Sequence, residues 1–443
     1  MNQPMISQII FAFITAATIY VAYKLYSKVL LGIGLGKGDW PQDHPAKRRK
    51  QMLLIAFGQK KMFKRWIPGV LHFFIYTAFL LTQIELLEMV IDGLLGTHRI
   101  LRHLLGPLYV FVVGSIEVLS VLALIGTTVF LIRRNILKLK RFHNPEMKGW
   151  PFKDANLILL GEILLIAGLF MMNGAETVLS EDHPFFPFSS VFGPMVFGSM
   201  TEGSLHFFQH AGWWLHMLVV YGFILYLPFS KHLHILFAFP NTYYAKLSPP
   251  SEMENMPEVE QEVKSMLGLL DEEVPMSEDI PEFGVKDIFD LPKTTLLAAY
   301  TCTECGRCTD NCPANITGKK LSPRKIMMDI RDRVDEVATN IRAGKHLKDN
   351  MEDAPISQRY DDGKTLHDYI SPEEIFACTT CMACIEACPV LIRPMDPVLE
   401  LRRYHILTLA AGPQDWLPMF TSLENNGCVW QIPDSRLKWA EEL

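Results

Sequence analysis

The sequence predicts a mainly α-helical protein in two parts: a bundle of five membrane-spanning helices, then a smaller helical domain in water. Three observations predict it. Five apolar stretches, at roughly 6–32, 68–94, 105–132, 156–178 and 206–230, are each long enough to cross a bilayer. Charge is divided between the halves: residues 1–240 carry 21 Lys+Arg and 13 Asp+Glu, a net of +8, and residues 241–443 carry 21 and 35, a net of −14. All nine cysteines lie after residue 300.

The first stretch has no cleavage-site signature, so it reads as a retained helix. The fourth is the weakest, with an uninterrupted apolar core only from Leu157 to Met172 and Glu162 inside it. A short span and a tilted helix both fit. Lys47, Arg48, Arg49, Lys50, Lys60, Lys61, Lys64 and Arg65 follow the first stretch, and Arg133, Arg134, Lys138, Lys140 and Arg141 follow the third. The segment around Glu181, Asp182 and Phe185–Phe188 has no Lys or Arg. Loops rich in Lys and Arg stay in the cytoplasm. The expectation is a multi-pass protein of the bacterial inner membrane, surrounded by lipid, with its N-terminus outside and its C-terminal half cytoplasmic. The acidity of that half argues against nucleic acid as a partner.

Three segments are expected: a membrane domain over 1–240, an acidic Pro-rich linker over 241–290, and a cysteine domain over 291–443. One short helix is expected in the linker at Pro257–Leu270, with proline suited to the first helical position. Helical patterning recurs at Lys319–Arg333 and Asp396–Thr408, and Ser322-Pro323 looks like a helix start.

Eight cysteines form two copies of one motif. The first is Cys302-x2-Cys305-x2-Cys308-x3-Cys312-Pro313 and the second is Cys378-x2-Cys381-x2-Cys384-x3-Cys388-Pro389. A secreted disulfide scaffold spreads its cysteines along a short chain, so this is ligand usage in a reducing compartment. Spacings of two let three thiolates converge on one [4Fe–4S] cubane, and in two-cluster proteins the fourth cysteine ligates the other cluster. One cluster therefore takes Cys302, Cys305, Cys308 and Cys388, and the other takes Cys378, Cys381, Cys384 and Cys312. The second domain is thus an α-helical, two-cluster, ferredoxin-like unit. Zinc would take a simpler two-plus-two spacing. Cys428 lies outside both motifs and reads as an inert thiol.

Histidine inside a span is expensive and commonly functional. His216 and His234 are 18 residues apart, which on one continuous helix means the same face and a separation of about 27 Å. They cannot share an iron. Depth pairs His234 with His72, at the start of the second span, and two imidazoles on one haem iron favour electron transfer. A bundle-facing hydrogen bond for His72 and an interfacial place beside His232 for His234 are the plainer alternatives. His216 meets Thr82 and Gln83 at its depth on the second span. His103 is a candidate partner, while His206 and His210 share its span. Glu85 and Glu117 suit either a relay of quinol protons or structural hydrogen bonds.

The first 240 residues resemble the cytochrome b (gamma) subunit of respiratory nitrate reductase. The likeness lies in His216-Met-Leu-Val-Val-Tyr-Gly, Pro228-Phe-Ser-Lys through His234, and the Gly-x-x-His segment ending at His72. It implies haem b ligands at His72, His216 and His234, and the fourth ligand is missing near Thr82. From about residue 284 the chain resembles the iron–sulfur subunit of heterodisulfide reductases. The matching stretches are Phe283-Gly-Val-Lys-Asp, Tyr300-Thr-Cys-Thr-Glu-Cys-Gly-Arg-Cys, Leu321-Ser-Pro-Arg-Lys, Cys378-Thr-Thr-Cys-Met-Ala-Cys, Glu424-Asn-Asn-Gly and Arg436-x-x-Trp439. The fusion is similar to membrane electron-transfer-flavoprotein:quinone oxidoreductases, which continue into cysteine-rich CCG domains. The resemblance implies a CCG-domain partner chain, electron-transfer flavoprotein or another cytoplasmic donor, and quinone as substrate.

The expected activity is that of a quinone-linked oxidoreductase subunit passing electrons through two [4Fe–4S] clusters and haem b. Two alternatives stand beside it: a non-catalytic membrane anchor or redox-sensing docking subunit, and a heterodisulfide reductase-like module serving a thiol/disulfide or 2-hydroxy-acid couple. No nucleotide-binding glycine loop, flavin fingerprint or nucleophilic triad is apparent.

Overall fold

In a computed structural model, residues 5–180, 185–269, 282–348, 351, 353–430 and 438–441 are described. Glu181, Asp182, Arg436 and the linker residues 270–281 lie outside them. Five long apolar helices are present: α1 (Met5–Gly34), α2 (Trp66–Leu95), α3 (Pro107–Asn135), α4 (Trp150–Leu179) and α5 (Glu202–Tyr226). Each has the length and composition to cross a membrane. The fourth, expected as short or tilted, is a full 30 residues. Half-buried Glu162 is accommodated there by a 2.9 Å hydrogen bond from Thr127 of α3. The rest of the chain is helical too, with α6 (His234–Tyr244), α7 (Pro257–Met266), α8 (Lys293–Thr301), α9 (Pro323–Arg342), α10 (Met395–Arg403) and α11 (Leu417–Asn426). No strand occurs among the described residues, only two isolated bridges.

Small residues set the closest helix contact. A Cβ on Gly168 of α4 would lie 3.0 Å from the Gly212 carbonyl and from the His216 amide of α5, so the two backbones touch. Around this seam Phe11, Met89, Ile116, Leu169, Met172, Trp213 and Met217 form the bundle core.

The fifth span is not one helix as far as His234. Pro228 cannot donate to the helical ladder, and α5 ends at Tyr226. A 3-10 turn over Leu227–Phe229, an extended Ser230 and a second turn over Lys231–Leu233 precede α6. The 18-residue, same-face relation of His216 and His234, with its 27 Å rise, therefore does not hold. A proline near the end of an apolar run was the signal against it.

The cysteine domain's core extends beyond residues 291–443. Val29, Ile33 and Leu35 of α1 and the segment after it, Leu233, and Val285 and Ile288 pack with Leu296, Ile326, Ile330 and Val334 in one cluster. At Gly32 a Cβ would meet Val334 at 2.8 Å and the Tyr300 hydroxyl at 2.9 Å, so α1 approaches α8 and α9 through a position that tolerates no side chain. Arg333, fully buried in α9, ties Asp287 at 2.7 Å to Asp362 at 2.6 Å. The helix expected at Pro257–Leu270 is α7, with proline in its first turn. Ser322 caps α9, accepting from the Lys325 amide.

Candidate iron–sulfur and haem sites

The two cysteine loops follow the same backbone path. In the first, Glu304 (φ 52°) and Gly306 (φ 73°) are left-handed; in the second, Thr380 (φ 54°) and Met382 (φ 62°) are, at the equivalent positions. Left-handed residues at alternate positions are the backbone pattern that can turn N–H groups toward one concavity, a geometry suited to anionic sulfur. A short helix carries the third cysteine in each loop, Arg307–Asp310 with Cys308 and Ala383–Ala387 with Cys384. Only the first loop uses glycine at the fifth position; Met382 accepts a conformation costly for a side-chain-bearing residue.

The loops exchange their fourth cysteines. Cys302, Cys305, Cys308 and Cys388 line one cavity. Cys312, Cys378, Cys381 and Cys384 line another. Burial pushes the Cys302 thiol up to about 12, with Cys305 and Cys388 adding to it. Burial also raises Cys384 to about 12, with Cys378, Cys312 and Cys381 adding. Four crowded thiols hold four negative charges only if a metal centre compensates them. Among the described residues no three His, Cys, Asp or Glu side chains converge closely enough for a single ion. The four thiols of each set line a cavity, the arrangement a cubane requires. The Ile392 amide donates to Cys388 Sγ at 3.2 Å, a contact of the kind that tunes cluster potential. Cys428 is half-buried and lines neither cavity.

The cavities differ in surroundings. Cys381 of the second is exposed, whereas Cys302 and Cys388 of the first are buried. The first is fastened to the end of the bundle. Arg307 donates to the Lys61 and Met62 carbonyls at 3.3 and 3.4 Å. Buried Arg324 holds Glu146 and the Arg141 carbonyl, each at 2.6 Å. Arg65 and Arg141 share Asp310, and Glu304 is paired with Lys231 and Arg331. Burial raises the Glu304 carboxyl, and the two cations more than offset this, holding it below its usual value. The basic loops thus grip the acidic domain directly. The charge asymmetry of the two halves carried that signal.

The same end of the bundle gathers histidines. His72 Nδ1 meets Gln59 Oε1 at 3.0 Å, and His234 Nδ1 donates to the Lys231 carbonyl at 3.0 Å. His232, expected only as an interfacial neighbour, lies with its ring 5.4 Å from that of His234. Burial lowers the basicity of His232 strongly, and the nearby His234 and His72 add to the effect. An imidazole whose Nδ1 is engaged presents Nε2 to a metal with a fixed tautomer. His72 and His234 each keep Nε2 free of the bond that orients the ring, so either could offer it to a metal.

His216 is also oriented, donating from Nδ1 to the Leu165 carbonyl at 3.0 Å. Among the described residues no partner for it is found at its depth on the second span. Thr82 and Gln83 bond to the Phe79 carbonyl of their own helix, and His103 is exposed. Glu117 is structural: its carboxylate accepts from the Phe188 and Ser189 amides and the Ser189 hydroxyl. Glu85 lines a pocket at the opposite end of the bundle with His98, Arg99, Gln209 and His210, and its Oε1 has no partner.

Residues 301–392 match the 4Fe–4S dicluster domain family. Over 98% of its length the chain is 28% identical to the Bacillus subtilis protein named "Probable iron-sulfur-binding oxidoreductase FadF", covering 61% of that protein. Over 92% of its length it is 27% identical to "EtfAB:quinone oxidoreductase" of Syntrophomonas wolfei, covering 56% of it. It is 31% identical over 170 residues to the "Probable membrane-anchored ferredoxin" of Chromohalobacter salexigens, which is 36% of this chain and 24% of that one. The chain thus spans about three fifths of the length of the first two relatives. No solved structure matches it. The five apolar helices and the anchored relative mark a membrane protein, and the chain carries a dicluster domain after its fifth long helix.

Proposed function

We propose that the chain is a membrane electron conduit between a cytoplasmic donor and the quinone pool. The observation that carries this reading is the fastening of the first cysteine cavity to the end of the bundle where His72, His232 and His234 gather. In this reading Cys302, Cys305, Cys308 and Cys388 hold one [4Fe–4S] cluster, and Cys312, Cys378, Cys381 and Cys384 hold the other. His72 and His234 hold haem b. These groups supply one-electron carriers when bound; the residues space, bury and orient them.

Exposed Cys381 makes the second cluster the station that meets the donor, and the buried first cluster the one that serves the bundle. Direction can reverse. Electron-transfer flavoprotein is the favoured donor because a relative is named for it. A CCG-domain protein is the expected intermediary. The positive-inside rule places the cysteine domain in the cytoplasm of a bacterium and the N-terminus outside. His216 is the ligand for a second haem if a further axial ligand is supplied. Glu85 is the buried carboxylate available for quinol protons.

The test is a pyridine haemochrome and iron assay on the purified complex, followed by quinone-linked turnover of wild type and His72→Ala. Haem b, two clusters, and loss of both haem absorbance and turnover in the variant are expected. Wild-type protein without haem refutes the conduit and leaves an anchor or sensor. Full turnover in His72→Ala refutes the haem path and favours a heterodisulfide reductase-like module.

A further inference from the structure

Lys231 lies in the turn between α5 and α6 and works in two directions. Its side chain is only 8% exposed, and its ammonium pairs with Glu304, the residue between the first two cysteines of the first loop. The same nitrogen donates to the Pro151 carbonyl at 2.7 Å and lies 3.7 Å from Asp154, both on α4. Its main-chain N–H donates to Asp154 at 3.2 Å, and its carbonyl accepts from His234 Nδ1 at 3.0 Å. Asp154 is completed by the Tyr226 hydroxyl at 2.6 Å, and Glu304 by Arg331 at 2.7 Å.

A buried ammonium is costly, and a buried ion pair adds less stability than apolar packing of the same volume; its best-attested use is to specify register. Here Lys231 joins two elements that no apolar contact could hold to hydrogen-bond precision. One is the Glu304 carboxylate beside the first cysteine pair, held by the ammonium. The other is the His234 ring nitrogen, which donates to the lysine's main-chain carbonyl.

We infer that Lys231 is a positioning residue that locks the first cysteine loop and the His234 imidazole into one unit, fixing the gap across which electrons leave the iron–sulfur domain. This rests on the conduit reading. It also predicts electrostatics. Reducing a cluster adds negative charge beside Glu304 and Lys231, so the lysine favours the reduced state and the glutamate opposes it.

The test uses the full chain with its bound partners in lipid nanodiscs, comparing wild type, Lys231→Met, Glu304→Gln and the double variant. One readout is the midpoint potential of the first cluster, from EPR-monitored titration. The other is the rate of haem reduction after rapid reduction of the clusters. Lys231→Met lowers the potential, Glu304→Gln raises it, and the double variant returns near wild type. All three slow the cluster-to-haem step by about tenfold or more, as expected of lost positioning. Lys231→Arg restores rate and potential. If Lys231→Met loses iron, the near-isosteric Glu304→Gln supplies the deciding rate and potential. A wild-type rate in the double variant overturns the inference, as does a first-cluster potential indifferent to both charges. Haem-free wild type instead refutes the conduit reading, while the potential shifts remain measurable on the cluster.

Discussion

Replacing Glu146 by Gln should loosen the seam between the cysteine domain and the bundle by more than a hundredfold. Glu146 lies in the loop between α3 and α4, and Arg324 at the start of α9. Their side chains are 8% and 1% exposed, and Arg324 Nη2 donates at 2.6 Å. The Ser322 hydroxyl adds a bond at 2.7 Å. At an effective dielectric of about 20, two unit charges about 3 Å apart interact by about 5 kcal/mol. Breaking a buried pair and leaving one charge behind costs about 3–5 kcal/mol. The Gln carbonyl still accepts one bond from the guanidinium, so about 3 kcal/mol is the appropriate end of that range. At about 1.4 kcal/mol per tenfold, that exceeds a hundredfold in the open-to-docked ratio.

Hydrogen exchange of residues 139–149 and of the first turn of α9, in lipid nanodiscs, reads this opening. Glu386→Gln is the control. Its carboxylate, paired with Lys64 and more distantly with Lys61, is more than half exposed, so these pairs are worth at most about 1 kcal/mol. If the Glu146 variant exchanges no faster than the Glu386 variant, the seam is held by something other than this pair. The pH dependence gives a second check. Burial raises the Glu146 carboxyl, but Arg324 and Ser322 outweigh it and hold it below its usual value. A lowered carboxyl contributes stability that is complete above the unfolded value of about 4.3 and is lost as pH falls through the folded value. Wild-type exchange should therefore be steady near neutrality and accelerate in acid below that point, and this acceleration should shrink in Glu146→Gln.

Two further outcomes follow from the cysteine loops. Cys312→Ala should abolish the same EPR signal as Cys378→Ala and preserve the one lost in Cys302→Ala; loss of the Cys302 signal instead would mean that the loops do not exchange their fourth cysteines. Gly306→Ala should release iron to a chelator faster, because a left-handed alanine costs about 1–2 kcal/mol and its Cβ would lie 2.6 Å from the buried Arg324 guanidinium. Met382→Gly, at the equivalent position, should slow iron loss; equal rates in both variants would show that the left-handed geometry is not what limits cluster retention.

What the sequence determined by itself was whatever depends on local chemistry and period. The five spans are apolar over membrane length, and the structure has helices at each of them. The cysteine spacing announced two equivalent loops, because x2 spacings force three thiols onto one small turn whatever surrounds it. Proline marked the starts of α7 and α9 through its fixed φ. The helical period failed only between His216 and His234, where it was carried through Pro228 without allowing for the lost ladder bond.

The tertiary structure decided what depends on residues far apart in the chain. That His232 lies with His72 and His234 could not be read from a histidine two residues from another. That Glu117 is consumed by the Phe188 and Ser189 amides and the Ser189 hydroxyl, while Glu85 is left with an unpartnered oxygen, depends on which loop packs over each carboxylate. The basic loops carried a sign in the sequence but no partner. Asp310 and Glu386 became their partners only when the domain was seated on the bundle. Long-range charge pairing has no period, so the sequence showed that the two halves attract, and only the fold showed that Lys231 and Arg324 are where they join.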